Sequence, residues 1–439
     1  MGLFGTDGVR GIAGDFLTAG LALSLGRAAA TVAPAASPQV LIVRDTRESG
    51  EMLEAALAAG VAAGGGHALL VGVLPTPGAS LLVRRYGFDL GAVVSASHNP
   101  YADNGIKFFG PEGMKLDDEH EAEIERRLER ESGDGAQAPE LRPGRVRELH
   151  GAAGDYLREL ELRFRELDLS GMRVLLDCAN GATYRVGPEI FRRLGADVEA
   201  IAVEPDGRNI NRGCGSTHLD ELRGRMAGHD AGFAFDGDGD RVLAVDRYGA
   251  VVDGDELMAL AALHLRDRGR LPGGGVAVTV MTNFGFHQAM GAAGIDVATT
   301  PVGDRHVLME LLRRGWALGG EQSGHIIDTG FVPAGDGIAS ALLALEALGG
   351  GDLAEREAMR KLPQRLVNVR VRDRDALEDA ADVWSAVERE SRGLDGRGRV
   401  LVRPSGTEPL VRVMVEAPGE DECQEIASRL ANLVESELG

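Results

Sequence analysis

The stretch Val40-Leu41-Ile42-Val43-Arg44-Asp45-Thr46-Arg47 decides the predicted fold class, because an uninterrupted apolar run leads directly into a polar loop. Such a run is typical of a parallel strand that is covered on both faces. The order of apolar strand, polar loop, helix and second strand, which spans 40–73 here, recurs at 173–203 and at 276–302. Three such units, far apart in the chain, predict three related α/β domains.

The end of the chain follows a different pattern. Apolar and polar residues alternate at 366–373, 398–405 and 409–416, and a charged helix is predicted between the first two of these segments. Alternation of this kind is typical of an antiparallel sheet with one covered face. The chain is therefore expected to end in a smaller α+β domain.

Breaks in composition predict the domain boundaries. A polar stretch with Gly and Pro at 131–145 indicates the first linker, and 349–351 together with Pro363 brackets the exit from the third domain. We expect an α/β protein in which three related domains with mixed or parallel sheets and one smaller α+β domain surround a central cleft. The predicted domains are residues 1–150, 151–253, 254–363 and 364–439.

Composition and charge exclude several classes of function. With 47 Lys plus Arg against 68 Asp plus Glu, the formal net charge of the 439 residues is −21. No nucleic-acid partner is expected, because such binding depends on clustered positive charge. Three distant cysteines, Cys178, Cys214 and Cys423, indicate neither a disulfide framework nor a zinc site. This cysteine usage favours a reducing, cytoplasmic setting. The uncharged stretch 55–83 contains Gly and Pro breaks, so no membrane partner is expected.

The loop Ser95-Ala96-Ser97-His98-Asn99-Pro100 directly follows an apolar strand, which is where ligands bind in α/β folds. Ser97 beside His98 suggests a hydrolase pair. However, adjacent side chains of an extended segment point in opposite directions, so His98 is not expected to act on Ser97. There is also no G-x-S-x-G motif here. Ser97 is therefore either a phosphate carrier or a plain turn residue.

Three carboxylates stand at alternate positions, Asp236, Asp238 and Asp240, with glycines between them. Their oxygens can converge on one hard cation such as Mg²⁺. An EF-hand is excluded, because Arg241 occupies its sixth position and Arg247 its twelfth. Solvated Asp-Gly turns remain the alternative. Arg241 directly after the carboxylates favours a phosphate group next to the metal.

Two further loops carry dense polar groups. In the segment 320–325, Glu321 and Ser323 suit sugar hydroxyls, while His325 is either functional or an ordinary buried histidine. The segment 403–409, between two alternating strands, combines an Arg, two hydroxyls and a Gly, and therefore predicts an anion site. An ordinary hairpin would not need so many donors.

Lysine is rare in this chain, since only three of the 47 basic residues are lysine: Lys107, Lys115 and Lys361. A retained lysine suggests a position where a compact charge or a movable proton is required. We expect this of Lys107. We expect Lys115 and Lys361 to be retained by chance, so that Lys115→Arg should change little.

The motifs SASHNP, DGDGDR, GEQSGH and RPSGTEP, in this order and at these separations, resemble the α-D-phosphohexomutase superfamily. The resemblance covers essentially the whole chain. Further stretches resemble its bacterial branch that acts on glucosamine phosphates: FGTDGVRG (4–11), DCANGATY (177–184), NINRGCGSTH (209–218) and VGDRH (302–306). The sequence departs from the family pattern at two places near the segment 320–325, which we call the sugar loop. Pro333-Ala334 precedes Gly335-Asp336-Gly337 where the family usually has two threonines, and His306 stands where Tyr is common.

The resemblance implies four domains around a cleft and one Mg²⁺ per chain. The implied metal ligands are Asp236, Asp238, Asp240 and an oxygen of a phosphorylated Ser97. The implied catalytic residues are Ser97, Lys107, Arg10, Arg241, His325 and Arg305. The implied ligands of the sugar hydroxyls and of the non-reacting phosphate are Glu321, Ser323, Arg403, Ser405, Gly406 and Thr407.

The resemblance also implies an isomerase that interconverts glucosamine 6-phosphate and glucosamine 1-phosphate through a bisphosphorylated sugar. This activity would feed the synthesis of UDP-N-acetylglucosamine and of the cell wall. A bisphosphorylated sugar or a kinase would first phosphorylate Ser97, and the chain would act as a monomer or homodimer. The alternatives are a phosphomannomutase or phosphoglucomutase, a silent sugar-phosphate-binding homologue, and an unrelated metal-dependent phosphatase.

Overall fold

The computed structural model of the protein describes residues 2–5, 7–131, 142–405 and 408–439. The chain folds as two compact units, Met1–Val280 with Ala298–Arg356 and Met281–Val297 with Glu357–Gly439. The predicted first linker, 131–145, lies mostly outside the described residues, and the predicted domain boundaries stay a prediction.

The first sheet has six strands in the order β1-β5-β4-β2-β3-β6. They are β1 (Val9–Ile12), β2 (Gln39–Arg44), β3 (His67–Val73), β4 (Leu90–Val94), β5 (Asp103–Phe109) and β6 (Val146–Glu148). Strand β2 runs parallel to β3 and β4, whereas β5 is antiparallel to β1 and β4. The predicted apolar run, 40–43, is fully buried in β2. The helices that accompany the first sheet are α1 (Ala19–Val32), α2 (Gly50–Ala63), α3 (Thr76–Tyr86) and α4 (Asp118–Glu131).

The uncharged stretch 55–83 forms parts of α2 and α3 with β3 between them, as its Gly and Pro breaks indicate. Among the described helices, none combines the length and the apolar character needed to cross a bilayer.

The second sheet has the order β11-β10-β9-β7-β8, with β7 parallel to β8 and β9. Its strands are β7 (Arg173–Asp177), β8 (Asp197–Ile201), β9 (Ala231–Phe235), β10 (Val242–Asp246) and β11 (Val251–Val252). The accompanying helices are α5 (Ala152–Arg163), α6 (Val186–Arg193) and α7 (Asp220–Gly224).

The third sheet has the order β13-β12-β14-β15-β16, in which β12 and β14 are parallel and β15 is antiparallel to both its neighbours. Its strands are β12 (Gly275–Thr279), β13 (Asp296–Thr300), β14 (Leu318–Gly320), β15 (Ile326–Asp328) and β16 (Val332–Gly335). The helices are α8 (Gly254–Asp267), α9 (Phe284–Ala292), α10 (Asp304–Arg314) and α11 (Gly337–Leu348). Helix α9 belongs to the second unit, where its N-cap Asn283 bonds to the backbone of Leu362.

The fourth sheet is antiparallel and has the order β17-β19-β18. Its strands are β17 (Gln364–Arg370), β18 (Arg399–Pro404) and β19 (Leu410–Glu416), and its helices are α12 (Ala381–Leu394) and α13 (Glu420–Leu438). The alternating valines of β19 pack on these helices in one apolar core. The predicted fold class, three α/β domains followed by a smaller α+β domain, is confirmed.

Candidate active site

The loop of Ser97 begins one residue after β4 and adopts a backbone conformation that is rare for serine. The φ angle of Ser97 is +51°, in the left-handed region, and the residue is 2% exposed. Its N–H donates to Ser95 Oγ (2.9 Å), and its own Oγ donates to Asp236 Oδ2 (2.5 Å). Strained backbone of this kind persists where the surrounding structure holds it in place, and it is concentrated at active sites.

The expectation that His98 points away from Ser97 is wrong. His98 Nδ1 lies 3.3 Å from Ser97 Oγ, because the positive φ of Ser97 breaks the extended alternation on which that expectation rested. Burial lowers the pKa of His98, and the guanidiniums of Arg241 and Arg10 lower it further. The imidazole is therefore held neutral beside the hydroxyl.

Arg47 holds the Ser97 loop and was missed by sequence reasoning. Its fully buried guanidinium pairs with Asp45 (2.8 Å) and donates to four backbone carbonyls. These carbonyls are those of Ser97 (2.9 Å), Asn99 (2.9 Å), Asp103 (2.9 Å) and Pro100. Asn211 adds a second donor to Ser97 O (2.9 Å). The available signal was position, since Arg47 follows β2, the parallel neighbour of β4, at the same edge of the sheet.

The three predicted metal ligands converge. Asp236, Asp238 and Asp240 are buried, and one ligand oxygen of each lies within 4.8 Å of the others. Gly237 between them allows the contact with the Ser97 loop, because a Cβ there would lie 2.5 Å from Ser97 O. The Oδ1 atoms of Asp238 and Asp240 are buried without a hydrogen-bond partner. These orphaned oxygens fit a metal ion, which the Asp triad could bind.

The charges of this cluster also favour a cation. Burial raises the pKa of Asp236 well above its usual range, and the neighbouring carboxylates of Asp240 and Asp238 raise it further. A bound divalent cation would remove this penalty, because it stabilises the ionised form of every ligand. Hard carboxylate oxygens of this kind are the ligands that Mg²⁺ and Ca²⁺ prefer.

Three predicted cations lie around the triad. Lys107, on β5, is 2% exposed, and its Nζ lies 2.7 Å from Asp238 Oδ2 and 3.9 Å from Asp240 Oδ2. Burial opposes its charge, but the carboxylates of Asp238 and Asp240 raise the pKa of Lys107 overall. Arg241 Nε lies 3.9 Å from Asp240 Oδ1. Arg10, on β1, pairs with Asp7, whose Oδ2 is 3.9 Å from Lys107 Nζ.

The sugar loop joins the same site through His325. An isolated backbone bridge pairs His325 with Arg241, and Gly324 O accepts from Val242 N (3.1 Å). Gly324 is required there, since a Cβ would lie 2.0 Å from Val242 O. His325 is buried, with Nδ1 3.5 Å from Asp240 Oδ2 and Nε2 3.5 Å from Asp304 Oδ2.

The two predicted sugar ligands differ in their surroundings. Glu321 Oε1 accepts from Gly303 N (3.1 Å), which ties the sugar loop to the start of α10. Ser323 is exposed. Glu321 is half-buried, whereas His325 in the same loop is buried.

Arg305 is not brought to the Ser97 loop. Its guanidinium pairs with Asp118 and with Glu121 (3.0 Å) and donates to Leu116 O (2.6 Å). These partners lie on α4 or just before it. Arg305 therefore fastens α10 to the first domain, and its implied role near the reacting hydroxyl stays a prediction.

Lys115 does not behave as a lysine retained by chance. Its Nζ lies 2.7 Å from Asp304 Oδ2 and also bonds to Asp7, so it joins two carboxylates of the site. Neither Asp7 nor Asp304 was singled out individually in the sequence, although both lie inside the quoted motifs FGTDGVRG and VGDRH. The rarity of lysine was the usable signal, and it applied to Lys115 as much as to Lys107.

The second unit carries the predicted phosphate loop. Arg403, near the end of β18, donates to the Met281 sulfur (3.4 Å), while Arg412 donates to Ser405 Oγ (3.4 Å) and Arg374 to Ser405 O (2.7 Å). Burial lowers the pKa of Arg403, and the like charge of Arg412 adds to this effect. Two guanidiniums that contact Ser405, with Arg403 near one of them, form a positively charged site that fits an anion. Gly406 and Thr407, the other predicted ligands, lie outside the described residues.

Comparisons with known proteins agree over the whole chain. Family models for phosphoglucomutase/phosphomannomutase match in four parts: alpha/beta/alpha domain I at residues 1–134, domain II at 154–249, domain III at 253–366 and the C-terminal domain at 366–433. Phosphoglucosamine mutase of Moorella thermoacetica is 51% identical over 435 residues, which cover 98% of each chain. That of Rubrobacter xylanophilus is 51% identical over 447 residues, covering 99% of this chain and 98% of its own.

Solved structures show the same fold. A phosphoglucomutase/phosphomannomutase family protein from Burkholderia thailandensis superposes with a TM-score of 0.82 at 22% identity, covering 98% of this chain and 97% of its own. N-acetylphosphoglucosamine mutase of Aspergillus fumigatus, in complex with GlcNAc-6P and magnesium, superposes with a TM-score of 0.69 at 20% identity, covering 99% and 95%.

Proposed function

Because this chain belongs to the phosphoglucomutase/phosphomannomutase family of α-D-phosphohexomutases, we propose that it interconverts glucosamine 6-phosphate and glucosamine 1-phosphate. The observation that carries the reaction class is the 2.5 Å contact between Ser97 Oγ and Asp236 Oδ2, which joins a candidate phosphate carrier to a candidate metal site. The choice of glucosamine rests on relatives named phosphoglucosamine mutase that share about half of the residues.

In the proposed reaction a phosphorylated Ser97 donates its phosphoryl group to a free hydroxyl of the sugar phosphate. The bond between Ser97 Oγ and phosphorus breaks, and a bond from the sugar oxygen to phosphorus forms. The sugar hydroxyl loses its proton, and Ser97 Oγ gains one to become a hydroxyl. The product is a sugar bisphosphate. After it turns end over end, its other phosphoryl group returns to Ser97 Oγ, and the sugar leaves as the isomer. No phosphate is gained or lost in the cycle.

The residues around Ser97 suit such a transfer, because phosphoryl transfer depends mainly on positioning and on neutralising charge. One Mg²⁺ per chain, held by Asp236, Asp238, Asp240 and a phosphoserine oxygen, would neutralise charge on the transferring group. Lys107 brings an ammonium group to the same carboxylates, and Arg10 and Arg241 supply further positive charge. Asp240 and Asp304 each lie 3.5 Å from one ring nitrogen of His325, and this ring would hold or move the proton of the reacting hydroxyl.

The remaining predicted ligands would fix the sugar. Glu321 and Ser323 would bond to its hydroxyls, and Arg403, Ser405, Gly406 and Thr407 would bind the phosphate that is not reacting. The contacts of the Arg412 and Arg374 guanidiniums with Ser405 support this assignment. Such binding is needed because the intermediate must turn without leaving the enzyme.

The biological setting is part of the proposal. A bisphosphorylated sugar or a kinase would first phosphorylate Ser97, and the product would feed the synthesis of UDP-N-acetylglucosamine and of the cell wall in the cytoplasm. The net charge of −21 argues against a nucleic-acid partner. A small anion can still be held where a few arginines converge locally. A monomer or a homodimer stays the prediction for the oligomeric state.

The test of the substrate is kcat/KM for the 6-phosphates of glucosamine, glucose and mannose, with Mg²⁺ and a hexose 1,6-bisphosphate activator held constant. The glucosamine phosphate should give the highest value, with some conversion of glucose phosphate. A preference for mannose or glucose phosphate would contradict the substrate and leave the reaction class intact. No conversion of any of the three would contradict the reaction class.

A further inference from the structure

A short backbone return brings the second lysine of the chain beside the first. After β5 the chain turns back through Gly110 and Gly113, with Gly110 N donating to Met114 O (2.8 Å). An isolated antiparallel bridge then pairs Lys115 with Phe109. Cross-strand partners share one face of a sheet, as do residues two apart on a strand, so Lys115 lies on the same face as Lys107.

Lys115 there joins parts of the first unit that are distant in sequence. Its Nζ bonds to Asp304, the first residue of α10, at 2.7 Å, and to Asp7, which precedes β1. The side chains of Lys115, Asp7 and Asp304 are 15%, 24% and 20% exposed, so water screens these charges only in part.

Both carboxylates that Lys115 holds have a second partner in the transfer site. Asp304 Oδ2 is 3.5 Å from His325 Nε2, and Asp7 Oδ2 is 3.9 Å from Lys107 Nζ. Lys115 thus stands one contact away from the two groups to which the proposed function gives a chemical task.

We propose that Lys115 is a positioning residue of the phosphoryl-transfer site: by binding Asp304 and Asp7 it fixes the ring of His325 and keeps Lys107 available for the transferring phosphoryl group. This inference rests on the proposed function, since it concerns the same reaction. Lys115 itself touches neither Ser97 nor the Asp triad in the described contacts.

Two consequences follow from the loss of its charge. Without Lys115, Asp304 keeps only His325 within ion-pair distance among the described residues and can move, so the ring loses a fixed neighbour. Asp7 would lose a partner and compete more strongly for Lys107, drawing it from Asp238 (2.7 Å). Both changes disturb the transfer more than they disturb sugar binding.

The first experiment measures kcat and KM of the wild type and of Lys115→Met with whichever hexose 6-phosphate the wild type converts best. We expect kcat to fall by about tenfold or more, a barrier increase of about 1.4 kcal/mol, while KM stays within about threefold. Lys361→Met, which removes the exposed third lysine, is the matched control and should keep the wild-type kcat. An unchanged kcat in Lys115→Met would overturn the inference.

A double-mutant cycle separates positioning from a general loss of stability. If Lys115 acts through Asp304, the substitution Lys115→Met should lower kcat less in an Asp304→Asn enzyme than in the wild type. The two factors should differ by at least about threefold. The charge-balanced double variant also serves if Lys115→Met alone does not fold. The inference would be overturned if Lys115→Met lowered kcat by the same factor in both backgrounds. It would also be overturned if the double variant had a kcat about tenfold or more below that of Asp304→Asn. A wrong sugar preference leaves this test intact, because the best substrate is used.

Discussion

The loop around Ser97 and the loop around Arg403 both carry groups proposed to bind phosphate, but the protein balances their charges differently. At Ser97 the two fully buried cations each have a close carboxylate partner: Lys107 pairs with Asp238 at 2.7 Å, and Arg47 with Asp45 at 2.8 Å. At Arg403 the described residues provide no carboxylate within ion-pair distance of the guanidinium, which bonds to a sulfur atom. Arg412 reaches Glu408 only at 3.8 Å.

This difference indicates that the two loops have different roles in catalysis and in binding. The Ser97 loop is organised by the protein itself, so its groups are in place before a sugar arrives, as electrostatic preorganisation requires. The Arg403 loop keeps positive charge that an incoming phosphate can neutralise. Substitutions in the first loop should therefore lower kcat, and substitutions in the second should raise KM.

The largest expected effect is that of Ser97→Ala, which removes the proposed phosphoryl acceptor. Turnover should fall by at least about a thousandfold, or about 4 kcal/mol of barrier. Intact-protein mass spectrometry should show a species one phosphate heavier in the wild type and not in the variant. A variant with full activity would exclude Ser97 as the carrier.

Lys107→Arg should lower kcat by about tenfold or more. The ammonium group is compact and lies 2.7 Å from Asp238 in a buried site, whereas the planar guanidinium needs more room and points its donors differently. Lys361→Arg, at an exposed lysine, is the control. If both substitutions lowered kcat equally and only slightly, the rarity of lysine would not indicate a functional role for Lys107.

Arg47→Lys tests whether the hydrogen bonds of the Arg47 guanidinium keep the Ser97 loop in place. A lysine has three donors and cannot replace the contacts of Arg47 with four carbonyls and Asp45, so the loop should loosen. We expect kcat to fall by about tenfold with KM nearly unchanged. Arg44→Lys, at a neighbouring arginine paired with Glu54 and Glu51, should have little effect on either constant.

Arg403→Gln tests the other side of the comparison. Loss of the guanidinium should raise KM by about tenfold, the size expected for one charged hydrogen bond, while kcat changes by less than about threefold. Arg397→Gln, an exposed arginine before β18, is the matched control. A fall in kcat without a rise in KM would contradict the assigned difference between the loops.

The last expected effect concerns the stability of the fold and a residue outside both loops. Burial raises the pKa of Asp336 to about 6, although its carboxylate caps α11 at Ala339 N and accepts from Tyr156. A raised carboxyl pKa means that the folded state binds the proton more tightly than the unfolded state, so this group costs stability as pH rises from about 4 to above 6. The cost reaches about 3 kcal/mol at most.

Asp336→Asn keeps a capping side chain but removes the titration. The Tm of this variant relative to the wild type should therefore increase between pH 5 and pH 8. Asp15→Asn, at an exposed position, should show no such trend. A constant difference in Tm across this range would show that Asp336 is ionised without cost.

Sequence patterns were sufficient for much of the fold and for the loops that carry the chemistry. Apolar runs such as 40–43 predicted buried parallel strands, and polar residues directly after a strand predicted Ser97 and Asp236 at the site. The structure buries 40–43 in a strand and brings Ser97 into contact with Asp236, because strand periodicity and position in an α/β fold are local properties.

The failures concern contacts between distant segments. Arg47 reaches Ser97 across 50 residues and Lys115 reaches Asp304 across 189, and no local pattern records such pairs. The side chain of Arg305 turns toward α4, a contact that the motif does not record, and its implied role near the reacting hydroxyl stays a prediction. The orientation of His98 was predicted wrongly because the left-handed φ of Ser97 depends on the surrounding contacts, which the sequence of the loop does not reveal.

The most direct test of the central claim is a single-turnover experiment with protein labelled with ³²P on Ser97. The labelled protein is mixed with Mg²⁺ and excess glucosamine 6-phosphate. It should pass its labelled phosphoryl group to the sugar and give a labelled bisphosphate. The unlabelled phosphoryl group of this bisphosphate should then return to Ser97, which leaves a labelled hexosamine phosphate. Release of the label as inorganic phosphate, or retention of the label on Ser97 while the sugar is converted, would contradict the account.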